Sequence, residues 1–154
     1  MSGCITKTNR PERVDLARCV LLVVLAIAVS GAMAAEPLLQ SRTTWEGGAI
    51  VYPDGKAQVT AVMLRLAPGD EPAFHCHPVP TMGYVLEGEV EVETSDGKKA
   101  VFRKGQAVAE VMGTVHRGRA LHGPAKIVVF YVGAVDMPNT VLPADDPDGR
   151  YCDV

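Results

Sequence analysis

The residues best suited to chemistry are two histidines, His75 and His77, which lie two positions apart between Gly69 and Gly88. In an extended strand this spacing places both imidazoles on the same face. A neutral imidazole is the commonest metal ligand among side chains. The pair therefore predicts half of a metal site, which needs one or two further donors from another part of the chain.

Strands rather than helices must position these histidines, because no stretch after residue 34 combines a helix start signal with a periodic apolar run. Short apolar and β-branched runs alternate instead with turn sequences, for example at 53–56 and 95–98. They predict about nine short strands, which include residues 45–52, 81–86, 89–94, 115–120 and 126–131. This pattern is typical of an all-β sandwich or barrel.

The first 34 residues differ in composition from the rest. Four basic residues precede a short apolar run at 20–29, which is followed by Ala32-Met33-Ala34. A basic start, an apolar centre and an A-x-A ending describe a secretory signal peptide. We expect cleavage after Ala34 and a periplasmic or secreted product. The alternative is an uncleaved membrane anchor, for which the apolar run is short.

The charge of the chain argues against a nucleic-acid partner. The formal net charge is −3, and loss of residues 1–34 makes the product more acidic, because that segment holds four basic and two acidic residues. An acidic domain without a basic run is a poor nucleic-acid binder. We therefore expect a small-molecule substrate and no nucleic acid.

Two spaced motifs carry a resemblance to a known family. The first consists of Gly69, His75, His77, a donor position at Thr81, and Gly88; the second consists of Gly105, Val111, Gly113 and His116. Their order and spacing resemble the two motifs of the cupin superfamily, and the short interval between them is similar to that of small single-domain bacterial cupins. The resemblance implies a jelly-roll barrel in which one metal ion is held by His75, His77 and His116.

On this basis the chain is expected to be all-β, a cupin-type jelly-roll barrel preceded by a signal peptide. It divides into a signal peptide at 1–34, an N-terminal extension and first strand at 35–57, a cupin domain at 58–133 and a C-terminal tail at 134–154. Cupins also imply a homodimer.

Three positions depart from the cupin pattern. The donor position, usually Glu, is Thr81; the usual Asn after the second-motif histidine is Ala120, and the usual Pro is Val111. A three-histidine site remains, which resembles that of the thiol dioxygenases within the superfamily. Three neutral ligands leave open positions for substrate or dioxygen. The alternative is that metal binding is weakened enough to leave a metal-free pocket.

Glu110 is the predicted catalytic residue. It lies before His116 on a face that we expect to look into the barrel, where a carboxylate is costly unless it is paired or bound to a metal. It would serve as a fourth ligand or as a general base. The alternative is a salt bridge to Arg117 or Arg119 at the barrel rim.

Two cysteines remain after residue 34, Cys76 and Cys152. Cys76 lies between the two histidines, so its side chain should point away from them and should not bind the metal. An exported protein permits a Cys76–Cys152 disulfide, and two unpaired cysteines are the alternative. His122, in a Gly-Pro loop, is expected to be exposed.

The sequence thus predicts an exported metal-binding cupin, an iron-dependent dioxygenase-like enzyme that acts on a small organic substrate. Manganese, nickel and zinc are the alternative divalent metals. The competing function is a non-catalytic binding or sensing module that uses the same pocket. Thr81, Glu110 and Arg65 are the predicted polar residues of that pocket.

Overall fold

The computed structural model describes residues 35–153 of the chain. Within these residues there are five strands and one short 3-10 helix: β1 Ala57–Leu66, β2 Thr81–Thr94, β3 Lys99–Arg103, β4 Ala107–Ala109, β5 His116–Ala134, and a 3-10 turn at Pro143–Asp145. The predicted all-β class is confirmed. The predicted signal peptide lies outside the described residues. The part of the chain that the structure describes holds no helix with the length and apolarity that a membrane crossing requires.

The strands form one antiparallel sheet in the order β1-β5-β2-β3, and β4 pairs with β2. Strands β2 and β5 pair along two stretches, one that joins Thr81 to Tyr131 and one that joins Thr94 to His116. The register shifts between these stretches, around residues 85–89. Each of the two strands therefore contributes to both ends of the barrel. His116 is the first residue of β5, and Tyr131 lies near the end of the same strand.

Five of the predicted strands were wrong in detail, and the described residues hold five strands rather than about nine. Residues 81–86 and 89–94 belong to the single strand β2, and residues 115–120 and 126–131 fall mainly in the single strand β5. Residues 45–52 form a turn and loop with only an isolated bridge between Thr43 and Ala49. One apolar residue of this segment, Trp45, packs against the hydrophobic core instead of taking part in a strand.

The core follows from the alternation of side chains along β2 and β5. Val85, Val90 and Val92 of β2 point inward and pack with Ile127 and Val129 of β5. The intervening acids of β2 form ion pairs with basic side chains of neighbouring strands, for example Arg119 with Glu91 at 2.6 Å and Arg117 with Glu93 at 3.6 Å. One face of β2 is thus apolar and lines the barrel interior, as a period of two requires.

The bend in β2 depends on Gly88. Its φ is +76°, a backbone conformation that residues other than glycine rarely adopt. A Cβ atom at this position would overlap the carbonyl oxygen of Pro124 and lie 3.0 Å from Cα of Ala125 in β5. Glycine therefore permits both the bend and the close approach of β2 to β5.

We expect Gly88→Ala to destabilise the protein by about 3 kcal/mol or more, because it adds a backbone collision to an unfavourable φ. Gly97→Ala is a matched control, since Gly97 has a similar φ of +87° and has open space where its Cβ would lie. The control should lose only about 1 kcal/mol. Urea unfolding of both variants measures the difference, and equal losses would contradict the role of close approach at Gly88.

The C-terminal tail folds back onto the segment that carries the first two histidines. Cys76 forms a disulfide with Cys152, with their Cα atoms 5.6 Å apart. Cys76 and Val141 also exchange two backbone hydrogen bonds, of 2.9 and 3.0 Å. The predicted bridge is confirmed, and the alternative of two unpaired cysteines is wrong.

Candidate metal centre

The fold brings His75, His77 and His116 together, although the first two lie in the segment between β1 and β2 and the third begins β5. His75 and His116 face each other in an antiparallel bridge, with backbone hydrogen bonds of 2.9 and 2.8 Å in the two directions. The three imidazole centroids lie 4.7 to 4.9 Å apart. Each histidine offers one nitrogen, and these nitrogens lie within 4.8 Å of one another.

This spacing is close to that required for one metal ion. Nitrogens bound to a single ion at about 2.1 Å are separated by no more than about 4.2 Å. Since these nitrogens lie up to 4.8 Å apart, the rings must move closer together to bind one ion. Cys76, between the two ligands of the first motif, faces the other way and is engaged in its disulfide, as the alternation of a strand predicts.

Each histidine presents the same nitrogen to the centre of the cluster. The Nδ1 atoms of His75, His77 and His116 lie 2.8 to 2.9 Å from the backbone carbonyl oxygens of Ala73, Asn139 and Thr114, respectively. A carbonyl oxygen only accepts hydrogen bonds, so each Nδ1 carries the proton. In the neutral imidazole the Nε2 atom then keeps its lone pair, and this is the form that binds a metal.

Burial keeps two of these imidazoles neutral. Desolvation, assisted by the neighbouring histidines His116 and His75, lowers the pKa of His77 to about 3. Desolvation also lowers the pKa of His116 to about 4, with a smaller contribution in the same direction from His75. Both residues are thus available as neutral ligands at pH 7 without prior loss of a proton.

The histidines open into a cavity of about 220 Å³ inside the barrel. Its walls are mostly apolar, with Leu64, Leu66 and Val92 among them. Thr81 also lines it, but its hydroxyl donates to the backbone carbonyl of Val79 at 3.0 Å. The predicted donor position is therefore filled by a hydroxyl that is already bonded.

Glu110 lines the same cavity as the three histidines. Its Oε2 atom is buried and has no hydrogen-bond partner among the described residues. Desolvation raises the pKa of Glu110 to about 7; the nearby indole of Trp45 opposes this shift and the charge of Glu46 adds to it. Although the indole lies near the carboxyl, Nε1 of Trp45 makes no hydrogen bond of normal geometry.

The alternative of a salt bridge from Glu110 to an arginine is wrong. Arg117 pairs with Glu93, and Arg119 pairs with Glu91, both on the outer face of β2. Glu110 is thus a carboxyl group inside the cavity with no cationic partner among the described residues. Such a group is expensive to ionise unless a cation or a proton donor joins it.

Two polar cavity residues were not predicted from the sequence. Tyr131 lies with its ring centroid 5.4 Å from that of His77, and its place two residues after Val129 on β5 is a signal that strand alternation provides. Thr140 lies in the tail, with Oγ1 3.3 Å from Nδ1 of His77, and no motif indicates it. Of the other predictions, His122 is exposed as expected, whereas Arg65 is exposed and does not line the cavity.

The sequence and the fold are similar to those of known proteins. A family model described as "Cupin domain" matches residues 62–131. No protein of curated function matches the sequence. Among solved structures, DMSP lyases match with 18% identity over 55% of this chain and 43% of theirs, at a TM-score of 0.47.

Two further structures are similar to this chain. A cupin-like protein from Thermotoga maritima matches with 20% identity over 56% of this chain and 64% of its own, at a TM-score of 0.46. A Cupin 2 conserved barrel domain protein from Leptotrichia buccalis matches with 21% identity over 54% of this chain and 44% of its own, at a TM-score of 0.43. The chain therefore spans less than two thirds of the length of the DMSP lyase and of either of these proteins.

Proposed function

Because residues 62–131 form a cupin domain, we propose that its three histidines hold one divalent transition-metal ion, iron by preference, and that the protein is a dioxygenase-like enzyme for a small organic substrate. The observation that carries this proposal is the convergence of three imidazoles on one cavity, each with its Nδ1 atom bonded to a backbone carbonyl.

The donor set supports a transition metal rather than magnesium or calcium. Imidazole nitrogen suits iron, nickel, copper and zinc, whereas the hard cations require oxygen ligands. When bound, iron supplies Lewis acidity and redox chemistry toward dioxygen. Three neutral ligands leave the charge of the ion uncompensated, which favours a substrate that brings an anionic group of its own.

The cavity supports a small substrate. Its volume of about 220 Å³ is below the roughly 300–1,000 Å³ of pockets for drug-sized ligands. The apolar wall excludes water and orients the carbon skeleton. Tyr131 and Thr140 line the wall on the side of His77 and supply hydroxyls that are suited to orienting a polar group of the substrate.

Glu110 is suited to accept a proton from the substrate. Its pKa of about 7 lies where a general base and its conjugate acid are both present at neutral pH. The buried Oε2 atom without a partner leaves an acceptor in the cavity. Because no arginine pairs with this carboxyl, Glu110 is free to take up a proton from the substrate and to release it again.

A second candidate is a non-catalytic binding or sensing module. The observation that favours it is Thr81, whose bonded hydroxyl leaves the fourth side-chain ligand position of cupins unfilled. Weaker metal binding would then leave the apolar cavity as a simple ligand pocket.

Metal analysis of protein purified without a polyhistidine tag discriminates between these functions. For the proposed enzyme, we expect about one iron per chain and oxygen uptake when small anionic organic compounds are supplied. Absence of any transition metal, both as isolated and after anaerobic incubation with ferrous iron, would contradict the metal site. The same absence would support the binding module, in which the apolar cavity holds a ligand without a metal.

We also propose that the protein is exported, as the signal sequence predicts. The Cys76–Cys152 disulfide supports this location, because disulfides persist in oxidising compartments. The intact mass of the protein from its native host provides the test. A product that begins at Ala35 agrees with export, and a membrane-bound product that retains Met1 contradicts cleavage.

A further inference from the structure

The C-terminal tail lies beyond the cupin match, which ends at residue 131, yet it reaches the candidate metal centre. Backbone hydrogen bonds join Val141 to Cys76 in both directions. Near the end of the tail, the N–H of Asp153 donates to the carbonyl of Gly113 at 2.9 Å. The tail is therefore docked against both segments that lead into the histidines.

The tail affects one histidine more directly than the others. His75 and His116 each bond through Nδ1 to the carbonyl two residues earlier in their own segment. His77 differs, because its acceptor is the carbonyl of Asn139, 62 residues away in the tail, at 2.8 Å. The orientation and tautomer of His77 thus depend on where the tail lies.

The tail is held there by a covalent bond to the residue between two ligands. Cys76 separates His75 from His77, and its sulfur joins Cys152, with both cysteines buried. The carboxylate of Asp146 accepts hydrogen bonds of 2.8 to 2.9 Å from the backbone N–H groups of residues 150, 151 and 152. The last loop is therefore closed on itself and presents Cys152 to Cys76.

We propose that residues 134–153 form a positioning segment of the metal centre, latched by the Cys76–Cys152 disulfide, and that opening this bridge weakens metal binding through His77. The inference rests on the proposed metal site. It goes beyond that site by assigning the tail a function and by making metal affinity depend on the redox state of the bridge. A dithiol reductant opens the bridge by thiol–disulfide exchange: it supplies two electrons and two protons, is itself oxidised to a disulfide, and leaves Cys76 and Cys152 as free thiols.

The expected loss of metal affinity follows from the role of the carbonyl that orients His77. Loss of a group that orients a metal-binding histidine typically weakens metal binding by about 10–100-fold. We expect a loss in this range when the bridge is absent. His75 and His116 keep their acceptors within their own segments, so their contribution should remain.

The test compares wild type with Cys76→Ala/Cys152→Ala in two measurements. Titration of the metal-free proteins with Co²⁺, followed by its visible absorption, should give about 10–100-fold weaker binding in the variant. Long-range ¹H–¹⁵N spectra of the metal-free imidazoles should show that His77 loses its fixed Nδ1–H form, while His75 and His116 retain theirs. Val85→Ala is the matched control, because it weakens the core outside the cavity lining and outside the tail.

Equal Co²⁺ affinity in the Cys variant and wild type, with an unchanged His77 signal, would overturn the latch. If wild type itself fails to bind Co²⁺, the metal site is wrong and the proposed consequence for affinity is wrong with it, whereas the imidazole spectra still test the positioning of His77. If the double variant does not fold, chemical reduction of wild type is followed by the same spectra. Loss of the His77 signal then supports the latch, and its persistence with both thiols free contradicts it.

Discussion

Replacement of His116 with alanine is expected to abolish stoichiometric metal binding, with a fall in affinity of more than about 100-fold. Loss of a partner that merely orients a ligand costs about 10–100-fold, and loss of a ligand itself should cost more. His116 is also the residue that joins the two motifs, since it is bridged to His75 and begins β5. Two histidines on one segment remain, which is too few to hold an ion firmly.

His122→Ala is the matched control for this experiment. It removes the same side chain from a site whose side chain is 83% exposed and which lies outside the cavity. Its metal content and affinity should equal those of wild type. Circular dichroism of both variants checks the fold. Undiminished metal binding by a folded His116→Ala protein would show that the ion lies elsewhere.

Replacement of Glu110 with glutamine should stabilise the metal-free protein by about 3 kcal/mol at pH 8 and by almost nothing at pH 4. The folded-state pKa of about 7 lies above the ordinary value of 4.5. The stabilising effect of the neutral carboxyl is therefore fully present below about pH 4.5, and is lost as the pH rises through 7. Each pKa unit corresponds to about 1.4 kcal/mol, and glutamine avoids the cost because it does not ionise.

Urea unfolding of the metal-free proteins between pH 4 and pH 8 measures this effect. The titrations of His77 and His116 are common to wild type and variant, so the difference in free energy of unfolding isolates Glu110. Glu71→Gln, an exposed loop position, is the control and should follow wild type at each pH. A difference between Glu110→Gln and wild type that is constant with pH would mean that the carboxyl does not titrate abnormally in the cavity.

The cluster of three histidines and the fold class could be predicted because their signals are local. The spacing of His75 and His77 follows from strand alternation, and His116 was identified by the spacing of its own motif. Turn residues indicate the strand boundaries, but at Gly88 they predict a boundary that the structure does not have. A glycine after Glu87 resembles the end of a strand, whereas here its positive φ bends one continuous strand across β5.

Other features depend on contacts that the sequence does not encode locally. Trp45 lies in an apolar run that resembles a strand, but Thr44 and Gly48 close a turn around it and direct the indole toward the core. Asn139 acts through its backbone carbonyl, which every residue possesses, so its type carries no signal. The contribution of the tail to the site becomes visible only when residues 62 positions apart are seen together.

The three carbonyls that hold the histidine Nδ1 atoms have a consequence for how the site tolerates mutation. Since Ala73, Thr114 and Asn139 act through the main chain, no side-chain replacement at these positions deletes an acceptor. Their side chains are free to vary as long as the path of the backbone is kept. Insertions, deletions and proline substitutions nearby are the changes that disturb the histidines, because they move the backbone. To change the orientation of these histidines by engineering, the loops that carry the carbonyls must be redesigned.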